Sequence, residues 1–96
     1  MAKKLVWTKI ADTKLSIIRD YLNEVWGLKV TEAFMQRTYD FLDILIDFPE
    51  IGVIQNFSRN IRGFTLTRHT TIFYKIDNQN TILLNFFDNR QRRDKK

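Results

Sequence analysis

The apolar residues of this chain change period near Gly52, and that change limits the folds open to it. Ala11, Leu15, Ile18, Leu22 and Val25 are spaced four, three, four and three residues apart, which lines them up on one face of a helix. Val30, Phe34, Phe41, Leu45 and Phe48 mark the inward face of a second helix, with Gln36, Asp40, Asp43 and Asp47 as its wet stripe. Gly27 stands where a glycine would cap the first helix, so two helices joined this closely pack as an antiparallel hairpin. Pro49 ends the helical pattern. After the connecting stretch "PEIGVIQNFSRN" the period drops to two, predicting strands at Ile61–Arg68, Thr71–Asp77 and Thr81–Asp88. The first turn falls near His69–Thr70, and the second is "DNQN", where Asn takes the left-handed backbone in place of glycine.

With "KKLVWTKI" as an opening strand, the order is β-α-α-β-β-β. That order predicts an α+β fold, an antiparallel sheet of four strands with a helical hairpin packed on one face. Ile18, Leu22, Phe34, Phe41 and Leu45 are its expected core. The chain of 96 residues suits a single domain, 1–96, with a basic tail from about residue 89. It contains no cysteine, which excludes disulfides and thiolate metal sites. Neither a signal peptide nor a membrane span is legible, and the expected location is the cytoplasm.

Charge is distributed unevenly. Residues 1–50 carry seven Lys/Arg against eight Asp/Glu, a net −1, and residues 51–96 carry nine against three, a net +6. The stretch "IRGFTLTRHTTIFYKI", Ile61 to Ile76, holds Arg62, Arg68, His69, Tyr74 and Lys75 without one carboxylate. Such a surface predicts an anionic or acidic partner. Arg62, Arg68, Lys75 and Arg90 are candidate phosphate contacts, and Tyr74 or Phe87 a candidate stacking platform. Alternation places Arg62 and Arg68 at the parity of Phe64 and Leu66, so a bulge, a twist or a strand end must separate charge from core. His69 is the single histidine, and its place at a turn reads as a hydrogen-bonded residue more readily than as a catalyst. There is no glycine-rich phosphate loop, and no metal or cofactor is expected.

In order along the chain, "A…L..I..Y", "EAF", "DFPEIG", "IRGFTLTRHTTIFYKI" and "FFDNRQ" resemble the RelE/ParE superfamily of bacterial toxins. The resemblance runs from about Leu5 to Arg90 and carries the same element order. It implies a growth-inhibiting toxin of a type II toxin–antitoxin system, neutralised by an acidic, partly disordered antitoxin with a DNA-binding region. RelE-like members cut mRNA on the ribosome, whereas ParE-like members poison DNA gyrase and are not nucleases. On the RelE-like reading the catalytic residues are Arg62, Arg68 and Arg90. That pattern is incomplete: Phe64 or Thr65 replaces a lysine, Thr71 replaces an arginine, and "RQRRDKK" lacks a tyrosine or histidine. "RHTTIFYKI" is closer to ParE-like members, which favours gyrase as the target. For a ParE-like target surface, or for nucleic acid, the candidates are Arg62, Arg68, His69, Tyr74, Lys75 and Arg90. An inactive or repurposed member acting as a binding module is the further alternative.

Overall fold

The structure, a computed structural model, describes residues 4–92. Strand β1 (Lys4–Trp7) leads into helix α1 (Lys9–Trp26), helix α2 (Leu28–Asp47) and a 3-10 turn (Pro49–Ile51). Strands β2 (Val53–Asn56), β3 (Ile61–Thr65), β4 (Thr70–Asp77) and β5 (Asn80–Asp88) follow, and the helical turn α3 (Asn89–Arg92) closes the described chain. The rest of the expected basic tail lies outside the described residues.

Thr8 starts α1 in two ways. Its hydroxyl oxygen accepts from the Ala11 N–H at 3.1 Å and its O–H donates to the Leu83 carbonyl at 2.7 Å, so the N-cap also pins the helix to β5. Gly27 then serves both helices. Its positive φ of 95° directs its N–H back to the carbonyls of Leu22 and Asn23, and its own carbonyl receives the Thr31 N–H and hydroxyl. Thr38 likewise donates its hydroxyl to the Phe34 carbonyl, which allows a polar side chain into the buried stripe of α2.

The sheet runs β1-β5-β4-β3-β2, so the expected four antiparallel strands become five in a mixed sheet. β1 pairs with β5 in parallel, because the hairpin returns the chain across the sheet before β5 is laid beside β1. The expected connecting stretch contains β2, an edge strand exposed at every residue, which explains why no alternation announced it. β3 ends at Thr65, three residues earlier than predicted, and the following turn carries Arg68. At the β4–β5 turn Asn78 adopts φ 57°, as the "DNQN" reading requires.

The α1–α2 hairpin covers one face of the sheet. Ala11, Leu15, Ile18 and Leu22 meet Phe34, Phe41, Leu42 and Leu45 over Leu66, Ile72, Tyr74, Leu83 and Phe86. Phe41 stacks on Phe64 with ring centroids 4.0 Å apart, and Trp7 on Phe86 at 5.8 Å. All five expected core residues are buried. Three others assigned inward are not. Val25 and Val30 belong to a hairpin tip in which Trp26 and Leu28 are also exposed, and Phe48 leaves the helix in a non-helical conformation.

A bulge sets the parity of β5. Phe73 lies opposite Asn85 and Tyr74 opposite Leu83, which leaves Leu84 as an extra residue. Leu83 and Phe86, three apart, therefore both point to the helices. The packing makes a direct prediction. Leu45→Ala should lower the unfolding free energy by about 3 kcal/mol through lost burial and a residual cavity. Val25→Ala should cost less than about 0.5 kcal/mol. Denaturant titration of the two variants checks both.

Candidate functional site

The carboxylate-free stretch does not form one surface. Its residues divide among three places.

At the end of the sheet nearest the 3-10 turn, Arg62 and Tyr74 are cross-strand partners on β3 and β4. Tyr74 is fully buried. Its hydroxyl donates to the Pro49 carbonyl at 2.7 Å and accepts from the Gly52 N–H at 2.8 Å. Burial pushes the phenol pKa up, more than the Gly52 bond and the Arg62 charge pull it down. Arg62 donates through one terminal nitrogen to the carbonyls of Glu50 and Gly52, at 3.2 and 2.8 Å. A Cβ on Gly52 would stand 2.6 Å from the Tyr74 hydroxyl and 3.0 Å from the Gly63 carbonyl, so only glycine allows the turn this close. Both side chains hold the turn after α2 onto the sheet. Tyr74 is therefore no stacking platform, which corrects the sequence expectation.

Lys75 stands on the opposite, helix-free face of the sheet, opposite Ile61 on one side and Ile82 on the other. Its sequence neighbour Phe73 faces the same way, because Tyr74 between them points inward.

Arg68, His69 and Arg90 do come together, at the other end of β4. Asp88 closes β5 with a fully buried side chain and receives three donors. The Thr70 hydroxyl donates to it at 2.9 Å, the Arg90 backbone N–H at 2.9 Å and the Arg90 guanidinium at 2.8 Å. Burial alone would raise the carboxyl pKa, but the Arg90 and Thr70 bonds outweigh it and hold the group below the ordinary carboxylate value. His69 bonds to the same corner: its carbonyl accepts from the Asn89 N–H at 2.9 Å, and its Nδ1 lies 3.2 Å from the Asn89 side-chain oxygen. This is the hydrogen-bonded turn residue that the sequence favoured.

Beside this corner lies an open groove of about 420 Å³. Leu22, Val30, Ala33 and Phe34 are its apolar lining, and Arg37, Thr67, Arg68, His69 and Arg90 its polar lining. Sequence reasoning missed Arg37, which donates Nε–H to the Leu66 carbonyl at 3.0 Å and so ties α2 to the turn. One signal was available, since Arg37 is the single cation between Lys29 and Arg59. Among the described residues neither Arg37 nor Arg68 stands in an ion pair, and no carboxylate lines the groove. The arrangement can hold an anionic group against apolar surface.

The Asp88 cluster predicts an acid-dependent stability. Its folded pKa is lowered, so the contribution is complete above the ordinary carboxylate range and is lost as pH falls through the depressed value. Asp88→Ala should cost about 3 kcal/mol near neutral pH, because it strands Arg90 and Thr70. The gap between wild type and variant should narrow below about pH 4, as followed by thermal melts across pH.

Residues 5–93 match a protein family described as ParE toxin of the type II toxin–antitoxin system parDE. No curated protein matches the chain in sequence. In solved structures, the fold is similar to a chain of the chromosomal ParDE toxin–antitoxin system from P. aeruginosa. The TM-score is 0.74 at 18% identity, over 90% of this chain and 95% of that one. It is also similar to a YoeB/ParE toxin from Agrobacterium tumefaciens, with a TM-score of 0.61 at 12% identity, over 88% of this chain and 96% of that one.

Proposed function

The chain belongs to the ParE toxin family of type II toxin–antitoxin systems, and from that premise we propose that it arrests bacterial growth by poisoning DNA gyrase rather than by cutting mRNA. One observation carries the choice of target: the residues that would have to act together in a ribonuclease do not converge. Tyr74 and Arg62 lie at the turn after α2, whereas Arg68 and Arg90 lie beyond Thr70, four residues away along β4. At about 3.3 Å per residue that is roughly 13 Å along the strand alone. General acid–base catalysis needs the proton carrier within hydrogen-bond reach of the reacting atom. Here the phenol is buried between backbone groups and Arg90 is held by a buried carboxylate. The proposed setting is the cytoplasm, and the proposed neutralising partner is a cognate antitoxin with an acidic segment that folds on docking. No helix among the described residues is long and apolar enough to cross a membrane.

Controlled induction in a bacterium tests the target. Growth should stop, a DNA-damage reporter should rise, and the purified protein should inhibit gyrase supercoiling. Co-expression of the antitoxin should reverse the arrest. Arg62→Ala should leave any inhibition largely intact in protein that stays folded. Growth arrest with reproducible cuts at ribosomal A-site codons, and no effect on gyrase, would replace this reading with the ribonuclease one.

A further inference from the structure

The two edges of the sheet are protected differently. Exposed edges are commonly blunted by a lysine, a proline or a covering segment, because their unpaired main-chain groups invite another strand. β1, at one edge, carries exposed Lys4. β2, at the other, reads "VIQN", has no charge and is exposed at all four residues. We propose that two copies of this chain pair through β2, antiparallel about a twofold axis, into a closed dimer with one continuous sheet. The inference does not depend on the toxin reading.

The first support is a matching knob and hollow at opposite ends of the strand. Phe57, immediately after β2, is 84% exposed, more than any other large apolar residue described, and Val53 within β2 is 69% exposed. Just before β2 lies an open depression of about 590 Å³ lined by Asp47, Phe48, Pro49, Glu50 and Ile51. Antiparallel pairing centred between Ile54 and Gln55 sets Phe57 of each copy opposite Gly52 of the other, beside that depression. An unrelated partner would have to bring both a knob and a hollow at this spacing. A second copy supplies both by symmetry, which is what an isologous interface requires.

The second support is charge. Glu50 stands four residues before Ile54, and Arg59 four residues after Gln55. Both are exposed, and neither is in an ion pair among the described residues. The same twofold brings each Arg59 toward the other copy's Glu50, whereas a parallel arrangement would set like charge beside like.

The assembly stops at two. Each copy has one β2, pairing consumes both, and Lys4 guards the edges that remain. Gln55 is an extra residue in the register with β3, so the regular ladder is short and the apolar contacts and ion pairs must share in holding the dimer.

The test is sedimentation velocity on the full chain, made by cell-free synthesis, up to about 100 μM, where a small interface is populated. The sedimentation coefficient should rise with concentration to that of a dimer and no further. Val53→Lys and Phe57→Ser should each raise the dissociation constant at least about tenfold. Glu50→Arg and Arg59→Glu should each weaken pairing several-fold, most at low salt, and the double variant should recover it. Trp26→Ser, at the exposed hairpin tip, should change nothing. Thermal melts establish that each variant is folded, and Phe57→Ser with the charge exchange carries the test if Val53→Lys is not.

A monomer at every concentration overturns the inference, as does a dimer that survives both Val53→Lys and Phe57→Ser. Growth beyond two copies overturns the closed pairing. If Trp26→Ser dissolves the dimer, the interface is the hairpin tip and the inference is wrong. If the wild type is monomeric and a labelled antitoxin binds it but not Val53→Lys, the edge takes a strand of that partner instead. In each case the toxin reading stands, because growth arrest and gyrase inhibition are measured separately.

Discussion

One extra residue in β5 decides what this sheet buries. Before the bulge, Thr81 and Leu83 face the helices, and after it Phe86 and Asp88 do. With strict alternation from Leu83, Phe86 and Asp88 would turn to the helix-free face and Phe87 inward. The core would lose a fully buried ring, and Arg90 and Thr70 would lose their shared carboxylate. The cationic corner exists because the bulge shifts the strand's phase just upstream of it.

The absence of acids along the stretch from Ile61 to Ile76 has a physical explanation that differs from its first appearance. Guanidinium groups need acceptors, but these need not be side-chain carboxylates of the same stretch. Arg62 is matched by main-chain carbonyls at the turn after α2, and Arg90 by a single buried Asp. What remains after these are subtracted is smaller and more local: Arg68, which lines a groove together with Arg37 of α2, and Lys75 on the other side of the sheet. The asymmetry of the second half of the chain is thus partly structural and partly an unfilled surface.

The same distinction separates what was legible in the sequence from what was not. The helices were readable because their inward residues repeat over several turns, and Gly27 was readable because a shared cap leaves a glycine between two apolar periods. The α+β class followed from those elements. Val25, Val30 and Phe48 failed because periodicity reports which side of a helix a residue occupies, whereas burial also needs something opposite. β2 left no signal because an edge strand with both faces open has no reason to alternate. The role of Tyr74 was hidden for a different reason: its hydrogen-bond partners are main-chain groups 22 and 25 residues distant, which no side-chain pattern records. Arg37 joins the site only through the fold, from a helix whose neighbouring charges are acidic.

The parallel pairing of β1 with β5 has a bearing on how the molecule is made. Lys4–Trp7 must wait for Asn80–Leu83, and the Thr8 hydroxyl finds its acceptor 75 residues downstream. The α1–α2 hairpin closes through near neighbours, so it can form while later residues are still being added to the chain. The strands that cover its inner apolar stripe all follow it in the chain, and long-range closure of this kind is slow compared with helix pairing. A growing copy therefore displays its hairpin well before it possesses a finished sheet, and any surface that needs both layers, the groove among them, arises only once β5 has been made.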